Sequence, residues 1–128
     1  MKKRAPPAKV VSIPLPGKPV RGSRSGAPVM ALLDLMGRRW ALGILWTLGE
    51  QAPLSFNALL DQCHSISPGV LNTRLKELVA AGLVESGETG YSLTRQGQQL
   101  FEMVKPLGKW ARDVWAKVVT TRRLAHRG

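Results

Sequence analysis

The sequence predicts a mainly α-helical domain with one small β-hairpin. Apolar residues recur at helical spacing over most of the chain from Pro28 to Val118. In the second half of the chain, Gly87 and Gly90 bracket a turn between two short segments of strand type. A length of 128 residues with 44% hydrophobic content fits a single small domain. Together these observations place the chain in the mainly helical class.

The chain divides into a folded domain, residues 26–119, between two basic ends. Residues 1–25 are rich in Pro, Gly, Ser and basic residues, and their prolines are spaced so that no helix or internal strand can form. We therefore expect residues 1–25 to be a disordered arm, and residues 120–128 to be a basic tail.

The positive charge of the chain is concentrated in these two ends. The chain carries 19 Lys and Arg against 8 Asp and Glu, a formal net charge of +11. The whole excess lies before Gly26 and after Ala116, where no acidic residue occurs. Such segments favour a polyanion, with DNA the economical candidate, because neutralised phosphates release counterions. They are also typical of tails that only aid solubility. The arm residues that we expect to contact phosphate are Lys2, Lys3, Arg4, Lys9, Lys18, Arg21 and Arg24.

The first two predicted helices lie at the centre of the domain. Pro28 stands where a helix can begin, and this short helix extends to Gly37. A second helix ends at Gly49 and is apolar around most of its circumference, as expected for an element buried on several sides. Its apolar residues are Trp40, Leu42, Ile44, Leu45 and Leu48.

Two further helices follow, joined by a tight turn. Ser55 can cap a short helix over residues 56–62. Ser67 can cap the next helix, and Pro68 behind it brings a helical φ at a position that needs no donor. Gly82 follows where a left-handed residue is expected to end the helix. Two short helices joined in this way form the helix-turn-helix arrangement, whose second helix reads DNA in the major groove.

The second of these helices, about residues 67–81, has one apolar and one polar side. Its apolar residues recur at i, i+4, i+7 and i+8: Leu71, Leu75, Leu78 and Val79. The other side carries groups of the kinds that reach base edges and phosphates. The residues that we expect to contact DNA are Ser67, Gly69, Val70, Asn72, Thr73, Arg74 and Lys76. Glu77 falls on the same side, and the sequence leaves open whether Arg74 contacts DNA or pairs with Glu77.

A hairpin and a long helix complete the predicted domain. Residues 84–93 predict a short hairpin, which after a helix-turn-helix forms a wing. Thr94 can cap a long helix whose apolar stripe is interrupted by Pro106. The stripe consists of Leu100, Phe101, Val104, Leu107, Ala111, Val114, Trp115 and Val118. A domain of this size cannot easily bury both this stripe and the apolar second helix, so we expect a homodimer with the terminal helices at its interface.

Several local strings follow one another in a specific order and spacing. They are Leu33, Asp34, Leu35, Met36, Gly37 and Trp40, then Ile44 and Leu45, then Phe56, Asn57 and Leu59, then Ile66, Ser67, Pro68, Leu71, Arg74, Leu75, Leu78, Gly82, Leu83 and Val84, and finally Tyr91, Ser92, Leu93, Thr94 and Gly97. In this order and spacing they resemble the HxlR-type winged helix-turn-helix regulators, relatives of the MarR group, and the resemblance runs from about Pro28 to Val118. The resemblance implies a dimeric, sequence-specific transcriptional regulator that binds double-stranded DNA through the helix after Ser67.

Three features depart from the pattern of that family. Ala27 stands where members often have a cysteine before the proline, so we do not expect sensing through a thiol at that position. Gly69 and Val70 follow the Ser-Pro cap, where polar or basic residues are usual in the family. We therefore expect fewer direct contacts to bases at these two positions. The wing is short and carries Glu85 and Glu88, whose carboxylates repel phosphate. We expect the basic arm to add phosphate or minor-groove contacts in its place.

Two alternatives to a sequence-specific regulator remain. The chain could be a nonspecific basic nucleic-acid-binding or architectural protein that uses the winged domain mainly to dimerise, as the acidic wing and the Gly69-Val70 opening favour. It could also be a protein-interaction module, which would bind no DNA without its basic ends. We expect no enzymatic activity, because the chain has no carboxylate pair on one face, no nucleophile with a recognisable base and no phosphate-binding glycine loop.

The remaining sequence features set the expected surroundings. Cys63 is the only cysteine, and its neighbour His64 is too isolated to form a metal site with it, so we expect no metal and no cofactor. No apolar run approaches the roughly 18 residues of a membrane span, and the N-terminus lacks the apolar core of a secretory signal. We therefore expect a cytoplasmic protein without a membrane partner. The sequence does not identify a small-molecule effector.

Overall fold

The computed structural model describes residues 11–125 of the chain. The fold is mainly helical with one antiparallel hairpin, as the sequence predicts. In chain order the elements are α1 (Pro28–Met36), α2 (Ala41–Gln51), α3 (Phe56–Gln62), α4 (Pro68–Ala80), β1 (Val84–Gly87), β2 (Gly90–Leu93), α5 (Arg95–Trp110), a π-helical segment (Ala111–Trp115) and α6 (Ala116–Ala125). In the described range, no helix is both long and apolar enough to cross a membrane.

The core lies around α2, which packs against α1, α3, α5 and the hairpin. The largest fully buried side chains are Ile44, Leu45, Leu48, Leu59, Leu71, Leu75, Leu78 and Val84. Each buried leucine or isoleucine contributes about 1.5–3 kcal/mol relative to an exposed one. At Gly49 the ring of Phe101 from α5 lies where a Cβ would stand, so only glycine allows these two helices to pack this closely. The prediction of a central, buried second helix is confirmed.

The predicted helix caps are present. The side-chain oxygens of Ser55, Ser67 and Thr94 each accept a hydrogen bond from the backbone N–H three residues later, at 3.1, 3.2 and 3.0 Å. Gly82 has a φ of +77°, the left-handed conformation expected just after α4. These four residues fix where α3, α4 and α5 begin and where α4 ends.

The second helix differs from its prediction at both ends. Trp40 precedes α2 instead of belonging to it and has a φ of +75°, which turns the chain between α1 and α2. Gly49 does not end the helix, which continues to Gln51. Gly49 is required by its contact with α5 and not as a helix terminator.

The wing has the predicted bounds and an additional partner. Val84 pairs with Leu93 and Gly87 with Gly90, which leaves a two-residue turn at its tip. The backbone of Tyr91 also exchanges two hydrogen bonds with Leu54, of 3.0 and 2.7 Å. The segment before α3, predicted only as an extended link, thus pairs with β2 near the tip of the wing.

The C-terminal helix departs from its prediction. Pro106 lies inside α5 without ending it, because it is exposed and water can satisfy the carbonyl that its missing N–H leaves unbonded. The irregular turn is the π-helical segment that begins at Ala111. α6 then continues to Ala125 and takes up much of the predicted basic tail over residues 120–128.

Residues 11–25 differ from the predicted disordered arm. Ile13 packs against the core, and Val20 and Ser23 form a small bridge through hydrogen bonds of 2.9 and 3.0 Å. Interspersed apolar residues allow this proline-rich stretch to bury surface that its composition alone did not suggest. The first part of the predicted arm, with Lys2, Lys3, Arg4 and Lys9, lies outside the described residues.

Candidate nucleic-acid interface

The outer face of α4 carries most of the residues that the sequence predicts to contact DNA. Leu71, Leu75 and Leu78 point into the core, and this orientation fixes which side of the helix faces solvent. Six of the seven predicted residues are exposed: Ser67, Gly69, Val70, Asn72, Thr73 and Lys76. The structure therefore brings these six together on one accessible surface. It also exposes Val79, which the sequence assigned to the buried stripe.

The first turn of this helix is accessible from outside. The hydroxyl of Ser67 accepts from the backbone N–H of Val70 while the residue itself remains exposed. Nothing lies within 4 Å of the position that a Cβ would occupy at Gly69. A polyanion could therefore approach the positive end of the α4 dipole without steric obstruction.

Arg74 is the seventh predicted residue, and its guanidinium bonds within the protein. Its Nε donates to the carbonyl oxygen of Arg39 at 2.7 Å, and its Nη1 donates to Oε1 of Glu77 at 3.1 Å. Of the two roles that the sequence left open for Arg74, the structure adopts the ion pair with Glu77. Arg74 lies beside the outer face but is only partly exposed.

Glu77 does not lie on the exposed side, which corrects the sequence-based placement. Its side chain is only 8% exposed and pairs with Arg74 on one oxygen and with Arg38 on the other. Two guanidinium groups compensate the desolvation of this buried carboxylate. Nη1 of Arg38 also donates to the carbonyl oxygen of Ser12, at 2.9 Å.

This cluster ties α4 to the corner between α1 and α2. We call it the corner cluster: Arg38, Arg39, Arg74 and Glu77. Sequence reasoning did not single out Arg38 or Arg39, and only the i, i+3 spacing of Arg74 and Glu77 indicated an ion pair. The exposed guanidinium of Arg39 lies 5.7 Å from the centroid of the Trp40 ring, within the range of a cation–π contact.

The tip of the wing is exposed and acidic. Glu85 and Glu88 are both exposed, and no lysine or arginine lies in β1, β2 or the turn between them. Exposed carboxylates repel phosphate, so this wing offers little electrostatic attraction to a DNA backbone.

The described part of the arm lies beside α1. Lys18, Arg21 and Arg24 are all exposed, and the backbone N–H of Arg21 donates to Oδ2 of Asp34 at 3.2 Å. The carbonyl of Ser12 binds the corner cluster. The segment that carries these three cations is therefore held through its backbone by α1 and the corner cluster.

Cys63 lies at the end of α3, within the turn that precedes α4. Its side chain is buried, and burial raises the pKa of its thiol above the ordinary value. A buried, protonated thiol is a poor nucleophile. The fold therefore uses Cys63 as a small core residue.

The C-terminal helices carry a row of exposed apolar side chains. Of the predicted stripe, Leu100 and Phe101 are buried and Val104 is half-buried. The exposed members of the row, which we call the C-terminal apolar row, are Met103, Leu107, Trp110, Val114, Trp115, Val118 and Leu124. α1 adds exposed Val29 and Leu33. A row of large exposed apolar side chains along one helix is typical of a protein–protein contact.

An ion-pair group of Lys109, Arg112 and Asp113 lies where α5 joins the π-helical segment. Nζ of Lys109 lies 2.8 Å from Oδ2 of Asp113, and Nε of Arg112 lies 3.1 Å from Oδ1. Hydrogen bonds from Lys109 and then from Arg112 lower the pKa of the Asp113 carboxyl below its ordinary value. Asp113 therefore remains ionised on the apolar row over a wider pH range than usual.

The chain matches a known family over most of the folded domain. A family described as HxlR-like helix-turn-helix matches residues 35–118. The uncharacterized HTH-type transcriptional regulator BH0655 of Halalkalibacterium halodurans is 34% identical over 85 residues, which cover 61% of this chain and 75% of that protein. The uncharacterized HTH-type transcriptional regulator YdzF of Bacillus subtilis is 30% identical over 91 residues, which cover 66% of this chain and 84% of that protein.

Solved structures agree with this result. A possible HxlR family transcriptional factor from Thermoplasma volcanium is 30% identical with a TM-score of 0.59, over 66% of this chain and 82% of that one. Quinone-bound YodB from B. subtilis is 29% identical with a TM-score of 0.62, over 66% of this chain and 96% of that one. The winged helix-turn-helix fold of the described residues is therefore shared with these proteins.

Proposed function

This chain belongs to the HxlR-like helix-turn-helix family, and from that premise we propose that it is a cytoplasmic, sequence-specific DNA-binding regulator of transcription that acts as a homodimer. The observation that carries the proposal is the exposed outer face of α4. That face combines an accessible helix N-terminus with side chains that can bond to bases and phosphates.

We propose that α4 enters the major groove. Asn72 and Thr73 are exposed and short, so they can reach base edges, and Val70 can contact a thymine methyl group. Lys76 is exposed and suits a phosphate contact, whereas Arg74 positions the helix through the corner cluster. Base readout then rests mainly on the neutral side chains of the first two turns.

Phosphate anchoring in this proposal comes from the arm and not from the wing. The wing presents exposed carboxylates, while Lys18, Arg21 and Arg24 are exposed cations on a segment fixed beside α1. The remaining arm cations precede this segment in the chain. Their contribution would be independent of sequence and sensitive to salt.

The C-terminal apolar row supports a homodimer. A helix with large apolar side chains along its exposed face requires a partner in water, and a second copy of the same helix is the simplest one. α1 contributes Val29 and Leu33 to the exposed apolar surface. A two-fold dimer would present two α4 helices to successive major grooves.

The test is a binding series with the full chain. Binding to the DNA upstream of its own gene is compared with binding to a scrambled duplex of the same composition, each across a range of salt concentrations. We expect a preference of about a thousandfold or more for the native DNA. Replacing Lys18, Arg21 and Arg24 together with glutamine should lower the salt dependence on both duplexes and keep the preference.

Equal binding to both duplexes would overturn sequence-specific regulation. If, in addition, the triple glutamine variant lost most of its affinity, the chain would be the nonspecific basic nucleic-acid-binding protein that its composition also allows. A matched control replaces Lys105, Lys109 and Lys117, which lie on the C-terminal helices, with glutamine, and it should leave both the salt dependence and the preference unchanged.

A further inference from the structure

A cavity of about 230 Å³ lies between the arm and the end of α4. One wall is the arm stretch 13–16, and the second is the side of α1 that carries Ala31 and Leu32. The third wall is formed by Ala80 and Ala81 at the end of α4. The cavity is therefore separate from the exposed Val29 and Leu33 on another side of α1.

The arm wall is held at both ends. Before it, the carbonyl of Ser12 accepts from Arg38 of the corner cluster. After it, the backbone N–H of Gly17 donates to the carbonyl of Gly26 at 2.9 Å. Pro14 and Pro16 fix φ within the wall itself. These constraints make the cavity a preformed feature of the fold.

The lining of the cavity selects the chemistry of an occupant. Every residue that lines it is apolar, so no side chain can compensate a buried charge. The alanines at positions 31, 80 and 81 leave room where larger residues would fill the space. An apolar cavity of about 150 Å³ is already large enough for benzene, so this one fits a molecule of one or two rings and is too small for a peptide helix.

We propose that this cavity is a binding site for a small, uncharged, apolar molecule of one or two rings. The arm wall at residues 13–16 lies outside residues 35–118, over which the family matches, whereas Leu35, Ala80, Ala81 and Leu83 of the lining lie inside them. Because the arm and the end of α4 form two of its walls, occupation of the site would couple a ligand to the candidate DNA interface. That coupling rests on the proposed function, whereas binding itself does not.

Toluene is the probe, and benzoate is a comparator of similar size that carries a charge. Each is titrated into the full chain without DNA, and methyl resonances of alanine and leucine are followed by NMR. We expect toluene to bind saturably at about one site per chain, with a dissociation constant of about a millimolar or tighter. Shifts should centre on Ala31, Leu32, Ala80 and Ala81, and benzoate should cause none there.

Two variants test the location of binding. Ala80→Leu fills the cavity from an exposed helical position, and Leu15→Asp places a charge at its mouth from a residue that is 45% exposed. Each should weaken toluene binding at least about tenfold. The controls Ala116→Leu, on exposed α6, and Leu42→Asp, at a residue 40% exposed, should bind toluene like the original chain.

The absence of saturable binding would overturn the proposal. Saturable binding with methyl shifts centred on Leu107 would also overturn it, because its neighbour Gly108 lines a different cavity between α2 and α5. Equal weakening of toluene binding by the two control substitutions would also overturn the proposal. Since no DNA is present, these outcomes are independent of whether the chain regulates transcription.

Discussion

Glu77 shows how a single buried carboxylate can set the position of the exposed helix α4. It bridges Arg38 at the α1–α2 corner and Arg74 on α4, and Arg74 in turn binds the carbonyl of Arg39. Removing one member of such a group leaves the other charges partly buried and uncompensated, which costs more than the group contributes when it is complete. The corner cluster is thus a positioning device for the outer face of α4.

Glu77→Gln should lower the free energy of unfolding by about 2 kcal/mol, less than for a fully buried ion pair because both arginines are partly exposed. Urea unfolding measures this change. Glu102→Gln is the control, because Glu102 and Lys105 are about half exposed and such pairs are worth less than about 1 kcal/mol. Equal effects of the two substitutions would contradict the role assigned to Glu77.

Two exposed residues of α4 should affect DNA binding in different ways. Lys76→Met should weaken binding to all sequences alike and reduce the salt slope by about one.

Thr73→Val should change base preference at one position of the site by about 1–3 kcal/mol. Selection from random duplexes and salt titration separate the two effects. Thr120→Val, on exposed α6, is the control, and a change of base preference there would argue against readout by α4.

Cys63 gives a prediction for pH dependence. Because burial raises its pKa, the folded chain holds the thiol proton more tightly than the unfolded chain. The stabilisation is present below the unfolded pKa and is lost as pH rises through the folded pKa. Alkylation by iodoacetamide at mildly alkaline pH should be at least about tenfold slower in the native chain than in urea. Equal rates would show that the thiol is accessible in the fold.

Two helical glycines, Gly43 and Gly97, have very different surroundings. Gly43 in α2 has nothing within 4 Å of the position that a Cβ would occupy, whereas Gly97 in α5 faces the carbonyl oxygen of Leu83 at that position. Each is the third residue of its helix, so their local helical contexts are alike. Close contact between α5 and the start of the wing therefore requires glycine at only one of the two.

Alanine substitutions at these two positions should change the free energy of unfolding in opposite directions. Gly43→Ala should raise the free energy of unfolding by about 0.5–1 kcal/mol, because alanine favours the helix and reduces the entropy of the unfolded chain. Gly97→Ala should lower it by about 1–3 kcal/mol through overpacking against Leu83. Thermal unfolding measures both. Stabilisation by Gly97→Ala would mean that the wing can move away from α5 at little cost.

The described part of the molecule has one well-packed half and one apolar surface that the same chain does not cover. The corner cluster and the wing fix α4 on the first, while the C-terminal apolar row marks the second. This division suits a regulator that reads DNA with one end and dimerises through the other. The proposed dimer is therefore testable apart from DNA binding.

Trp115→Glu should convert the dimer into a monomer without loss of helix content. Trp115 is 54% exposed and lies in the C-terminal apolar row, where a charge would oppose burial in an interface. Light scattering after gel filtration measures the mass, and circular dichroism checks the fold. Val79→Glu is the control, at a residue 42% exposed on α4, and should remain dimeric. A monomeric original chain would contradict the proposed assembly.

Features that depend on nearby residues could be predicted from the sequence. The Ser55, Ser67 and Thr94 caps and the bounds of the wing are correct, because caps and tight turns are decided within a few residues. The exposed part of the candidate interface was also predictable, because the leucines of α4 fix the helix face that is buried.

Contacts between residues far apart in the chain were decided only by the tertiary structure. Glu77 is buried beside Arg38, which compensates its charge and lies 39 residues earlier in the chain. Helical periodicity contains no information about that partner. The ordered stretch after Val11 arises in the same way, from contacts with α1 and the end of α4. The sequence determined that α4 has one apolar and one polar side, while the fold determined which of its charges hold that helix in place, because burial and pairing are properties of the packed chain.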